Sequence, residues 1–146
     1  MLLTFGSAWG QLDYRINSYQ PTDYNSAPQV RAIAQDANSL FYFALKTGVL
    51  VFDGERWNIV GIGDEQAVWS LYYDGGRIYV GADNDFGFLQ ASDTAPAEFV
   101  SLSPDSIVGQ IERILFDTKG VGYFQGSNKI YTHHDGKTGR LSCISD

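Results

Sequence analysis

Val30-Arg-Ala-Ile-Ala-Gln-Asp36, a short turn, then Leu40-Phe-Tyr-Phe-Ala44 is the stretch that decides the fold, because the chain writes it three times. The second copy runs Val68-Trp-Ser-Leu-Tyr-Tyr-Asp74 and then Ile78-Tyr-Val-Gly-Ala82. The third runs Ile111-Glu-Arg-Ile-Leu-Phe-Asp117 and then Val121-Gly-Tyr-Phe-Gln125. The aspartates lie 38 and 43 residues apart, and Leu40, Ile78 and Val121 each follow their aspartate by 4. A period of roughly 40–50 residues with several short strands per unit is the mark of propeller blades.

Working outward, each copy extends to four strands. In the first, 30–35 and 40–44 are joined by Asp36-Ala-Asn-Ser39, residues that fold back on their own backbone. Lys46-Thr47-Gly48 turns into Val49-Leu-Val-Phe52, and Asp53-Gly54 is a hairpin signal leading into Arg56-Trp57-Asn-Ile-Val60. The second copy predicts strands at 67–73, 77–82, 86–90 and 97–101, with a turn at Asp74-Gly75-Gly76. The third predicts 110–116, 121–125, 128–132 and 140–144, with turns at Thr118-Lys119-Gly120, Ser127-Asn128 and Asp135-Gly136. The expectation is an all-β chain, a partial β-propeller of about three four-stranded antiparallel blades at 29–60, 67–101 and 110–144. No amphipathic helix is legible, and no low-complexity segment or linker interrupts the repeats.

A closed propeller needs roughly 4–8 blades, because each sheet must bury both faces. Three blades therefore imply a fragment of a longer propeller, a smaller open arrangement, or self-association of chains to complete the ring.

Composition agrees with a turn-rich β domain that buries a core: 146 residues, 44% hydrophobic, 14% aromatic and 16 glycines. The formal net charge is −7, from 17 acidic and 10 basic residues. That argues against a nucleic-acid surface, which needs a basic stripe, and against docking on anionic lipid. The single cysteine, Cys143, leaves no intrachain disulfide and reads as a small strand residue rather than a reactive thiol. No stretch approaches the ~20 apolar residues of a membrane span. Residues 1–11 carry Leu2-Leu3-Thr4-Phe5 and then Ala8-Trp9-Gly10. They read either as a signal-peptide remnant, with no basic start and a short apolar run, or as an N-terminal strand.

Several runs resemble the two-component regulator propeller repeat. Val30-x-x-Ile33-x-Gln35-Asp36-x-x-x-Leu40-Phe41-Tyr42-Phe43 followed by Gly48-Val49-Leu50-x-Phe52-Asp53-Gly54-x-x-Trp57 is the first. Ile16-Asn-Ser-Tyr19 with Tyr24 and Gln29 resembles the opening of such sensors. Ile78-Tyr-Val-Gly81-Ala-Asp-Asn-Asp-Phe86-Gly87-Phe88-Leu89 and Phe99-Val100-Ser101-Leu102 resemble the second unit. The resemblance covers residues 12–131; Gln125-Gly126 departs from the usual small-residue step, and 132–146 matches nothing. It implies the extracytoplasmic input propeller of bacterial signalling receptors, notably of Bacteroidetes, with a histidine kinase, helix-turn-helix regulator or nucleotide cyclase as output. It further implies a periplasmic or extracellular location, and membrane attachment only through a downstream segment.

Candidate chemistry is sparse. Asp83-Asn84-Asp85 is a short acidic loop without the further oxygen ligands calcium needs. His133-His134 precede Asp135-Gly136 and read as exposed loop residues, poorly placed to share a metal. Glu55, Glu65, Glu98 and Glu112 lie in different units, so a glycosidase-type pair cannot be read from them. No cofactor or metal is expected. Aromatic residues are the better candidates, since their faces pack between blades or stack on sugar rings. Tyr24, Trp57, Trp69, Tyr72 and Phe86 are the candidate ligand-binding set, with a small molecule or glycan fragment as ligand; Trp57 and Trp69 are expected to be mostly buried between blades. Loops 61–66, 103–109 and 24–29 are the expected funnel mouth. Three functions stay open: a non-catalytic ligand-sensing domain, a protein-interaction propeller with no small ligand, and a carbohydrate-active enzyme on a propeller scaffold.

Overall fold

A computed structural model describes residues 16–23, 29–92, 96–104 and 108–141. Tyr24, Cys143 and residues 1–11 lie outside the described residues. Three antiparallel four-stranded sheets make up the fold, with no helix among the described residues. The first blade contains β1 (Ile33–Gln35), β2 (Phe41–Leu45), β3 (Gly48–Phe52) and β4 (Trp57–Val60). The second contains β5 (Val68–Tyr73), β6 (Ile78–Ala82), β7 (Phe86–Gln90) and β8 (Glu98–Ser101). The third contains β9 (Ile111–Phe116), β10 (Gly122–Gly126), β11 (Ile130–His134) and β12 (Lys137–Leu141). Strands within each blade pair in chain order, as hairpins dictate. The first strands lie innermost: β1 packs beside β5, and β5 beside β9. The molecule is thus a three-bladed partial propeller.

The repeated aspartates explain the hairpins. Asp36 Oδ1 accepts hydrogen bonds from the amides of Asn38 (2.9 Å) and Leu40 (3.0 Å), while Tyr42 donates its hydroxyl to Oδ2 (3.1 Å). Asp117 does the same with the amides of Lys119 and Val121 and the hydroxyl of Tyr123. Asp74 accepts from Gly76 and Arg77 amides. The carboxylate satisfies turn amides that no strand partner reaches. These amides, Val121 first, hold Asp117 below the usual carboxylate range, and the Arg56 and Glu55 amides do so for Asp53.

One detail corrects the sequence reading. Gln35 pairs with Phe41, Tyr73 with Ile78 and Phe116 with Gly122. The turn after Asp74 is therefore one residue shorter than the other two, and the constant offset of 4 fails there. Asp74-Gly75-Gly76-Arg77 copies the Asp53-Gly54-Glu55-Arg56 turn instead, with Gly75 and Gly54 at φ 99° and 102°. The structural equivalents are Tyr42, Tyr79 and Tyr123. Burial first, then the partner aspartate, pushes all three hydroxyls above the ordinary tyrosine range.

Two cores fill the spaces between blades. Tyr42, Ala44, Val49 and Val60 of the first blade meet Val68, Ile78, Val80 and Leu89 of the second. Tyr79 and Phe86 of the second meet Ile111, Phe124 and Tyr131 of the third. The equivalent face of the third blade, which carries Tyr123, has no blade against it; Leu115, its cross-strand partner, is 61% exposed. The outer face of the first blade has no blade against it either, but is partly covered: Tyr19 packs on Phe52 and Trp57 and Leu50 is 2% exposed, while Ile33 and Ile59 stay 61% and 44% exposed.

The other differences are local. β11 and β12 run two to three residues from their expected places, because the two-residue loop Asp135-Gly136 lets pairing continue to His134 and resume at Lys137. The histidines are thus strand residues rather than loop residues. His133 sits half-buried against Thr138 (Nδ1 to Oγ1 3.0 Å), and burial, followed by the charges of Arg77 and His134, holds it below the usual histidine range. Trp57 and Trp69 are each partly exposed rather than interblade core. Trp57 lies on the outer strand under Phe52 (ring centroids 4.1 Å) and Tyr19 (5.2 Å). The acidic loop is structural: Asp85 accepts from the Phe86 amide and Ser101 hydroxyl, and Asn84 from the Gly109 amide.

Candidate functional site

Five positions upstream of the blade aspartates stand Arg31, just before β1, Trp69 on β5 and Glu112 on β9. All three line a single cavity of about 680 Å³, within the roughly 300–1,000 Å³ of small-molecule sites. Its further wall comes from β9, β10 and β11, including Arg113, Tyr123 and Gln125. The inner strands, not the loops between blades, build this site. Ile62 and Val108, from two of the expected mouth loops, are buried in the cores instead.

Trp69 reaches the cavity because pairing of β5 with β6 slips between Val68 and Ser70, leaving Trp69 as the extra residue. A bulge of this kind re-aims a side chain. Its indole Nε1–H donates to Asp83 Oδ1 (2.7 Å), which fixes the ring plane. The Arg31 guanidinium lies 3.9 Å from the Trp69 ring centroid, a cation–π stack. Glu112 is turned toward the β10–β11 connection, where Ser127 donates to it at 3.4 Å.

Of the candidate set, Trp69 alone lines this cavity among the described residues. Tyr72 stacks on Phe116 (5.3 Å, 20°) between the second and third blades. Phe86 is fully buried against Phe124 (4.4 Å). Trp57 belongs to the aromatic cluster on the outer strand, away from the cavity. Sequence reasoning missed Arg31, Glu112, Arg113 and Gln125. The available signal was the repeat itself, which stacks three chemically unlike residues at one position.

No group of three or more histidine, cysteine, aspartate or glutamate residues poised for a metal occurs among the described residues. No protein-family model matches the chain, and neither a curated protein nor a solved structure matches it.

Proposed function

We propose that the chain is a ligand-sensing input segment of a bacterial signalling receptor, held on the periplasmic or extracellular side and not itself catalytic. The observation that carries the reading is the convergence of Arg31, Trp69 and Glu112, one residue per blade, on one open cavity. Residues that differ where the scaffold repeats are what a binding site on a repeat fold requires, since the shared positions are spent on packing. Trp69 offers a fixed aromatic face, which suits a small molecule or glycan fragment. The resemblance of residues 12–131 to the two-component regulator propeller supports the signalling context. The test is a thermal-shift and NMR screen of neutral and charged mono- and oligosaccharides against the chain and its Trp69→Ala variant. A ligand that stabilises the parent and not the variant supports the reading; a screen in which nothing binds rejects it.

The alternative, a protein-interaction propeller without a small ligand, is favoured by one observation. Ile33, Phe41 and Ile59 on the first blade and Leu115 and Leu141 on the third are exposed on faces without a neighbouring blade. Exposed apolar patches of this kind mark contact surfaces.

A further inference from the structure

The third blade departs from the others where it borders the cavity, and the departure has chemical content. Next to Arg31, Trp69 and Glu112 stand Ala32, Ser70 and Arg113, and opposite these stand Ala44, Gly81 and Gln125. In the first two blades these positions are small because the next inner strand lies on them. Ser70 Oγ donates to the Ile111 carbonyl at 2.9 Å, and a Cβ on Gly81 would lie 2.6 Å from Ile111 Cγ2. In the third blade two long polar side chains occupy the same place, so this corner is not shaped for close packing of another strand. It presents an arginine and an amide to the cavity.

Arg31 faces the same space with an unmet requirement. Its Nη1 is buried and has no hydrogen-bond partner, although guanidinium carries only donors. Leaving such a nitrogen without an acceptor is costly. No ion pair among the described residues involves Arg31 or Arg113. Two arginines line the cavity with one carboxylate, Glu112, while Asp83 and Asp117 are held behind the lining by Trp69 and Tyr123.

We propose that this cavity binds a small carboxylate borne on a ring, the oxyanion taken by Arg31 and Arg113 and the ring laid beside Trp69. Stacking on the indole occupies the face of the Arg31 guanidinium and not its edge, the side that pairs with carboxylates; Nη1 on that edge is shielded from solvent, so the fork turns toward the cavity to take the ligand. Gln125 adds amide donors and acceptors beside Arg113 for ring hydroxyls. The inference rests on the ligand-sensing reading above and names the class of ligand that site takes.

The test compares D-glucuronate with D-glucose, which share a ring and differ in the carboxylate, by calorimetry and tryptophan fluorescence on the full chain. Glucuronate is expected to bind and glucose to bind at least about tenfold more weakly, the scale of one charge-assisted hydrogen bond. Raised salt should weaken the glucuronate complex, since the cavity is open to solvent. Arg113→Gln, at an exposed position, should lose about tenfold in affinity with an unchanged melting temperature, and Arg31→Gln should lose at least as much. Equal binding of the two sugars, or glucuronate affinity indifferent to Arg113→Gln, overturns the carboxylate assignment while leaving the cavity a ligand site. Failure of glucuronate to bind overturns it too; failure of the whole screen besides removes the sensing reading.

Discussion

The smallest unit that organises this chain is an aspartate with its turn. Asp36, Asp74 and Asp117 were legible because a carboxylate ending a strand, with turn-forming residues after it, has one main job: to accept the amides of the reversing backbone. Their tyrosine partners were not legible at equal spacing, since the shorter turn after Asp74 moves Tyr79 one residue nearer than Tyr42 and Tyr123. Tyr42 also connects the turn to the first core, where it is 8% exposed. Asp36→Ala removes the carboxylate that accepts two backbone amides and leaves a largely buried hydroxyl unpaired. The expected loss is on the order of 1–3 kcal/mol in a urea or thermal unfolding curve. Tyr42→Phe, which deletes the unpaired donor as well, should recover part of that loss in the double variant. A double variant that simply adds the two single effects would show that the pair is not coupled.

At the scale of elements, the blades and ten of the twelve strands lie within about two residues of the sequence reading, the usual latitude of strand boundaries; β1 begins three residues later than expected, at Ile33, and β12 lies three residues earlier. The last hairpin was displaced because the histidines before Asp135 were assigned to the turn, whereas a two-residue loop needs no residues beyond Asp135 and Gly136. What decides how blades stack was harder to see, because it lies in contacts between strands far apart in sequence. Gly81 is the clearest case: its absent side chain makes room for Ser70 and Ile111 at the junction of the second and third blades. The sequence marked Gln125 as a departure at this step, but only the packing explains why it is tolerated. Gly81→Ala should destabilise the chain by about 1–3 kcal/mol, the cost of overpacking. Gly61→Ala, where an added Cβ meets nothing within 4 Å, is the control. It should change stability by no more than about 0.5 kcal/mol. Equal melting temperatures for the two variants would place the blade junction elsewhere.

For the whole molecule, repetition without closure sets the behaviour. Each blade buries its tyrosine-bearing face on the next: Tyr42 on the second blade and Tyr79 on the third. Tyr123 carries the same face outward, and the first blade turns Ile33, Phe41 and Ile59 outward on the opposite side. Burial of such surface yields roughly 25 cal/mol per Å², so a sheet with an open apolar face gains by covering it. The polar corner at Arg113 and Gln125 keeps the inner part of one open face for the cavity, while Leu115 and Leu141 remain available on the rest. The expected behaviour is self-association that rises with concentration, observed by sedimentation velocity as a mass shift from 16.2 kDa toward twice that value. Ile33→Glu, on a side chain 61% exposed, should return the chain to monomer with stability within about 0.5 kcal/mol of the parent. A specific contact would bury more than about 1,200 Å² in total, enough for one saturating dimer rather than open-ended aggregation. A parent chain that sediments as a monomer at every concentration, or an Ile33→Glu variant that associates as readily, would assign the exposed apolar faces no role in contact between copies.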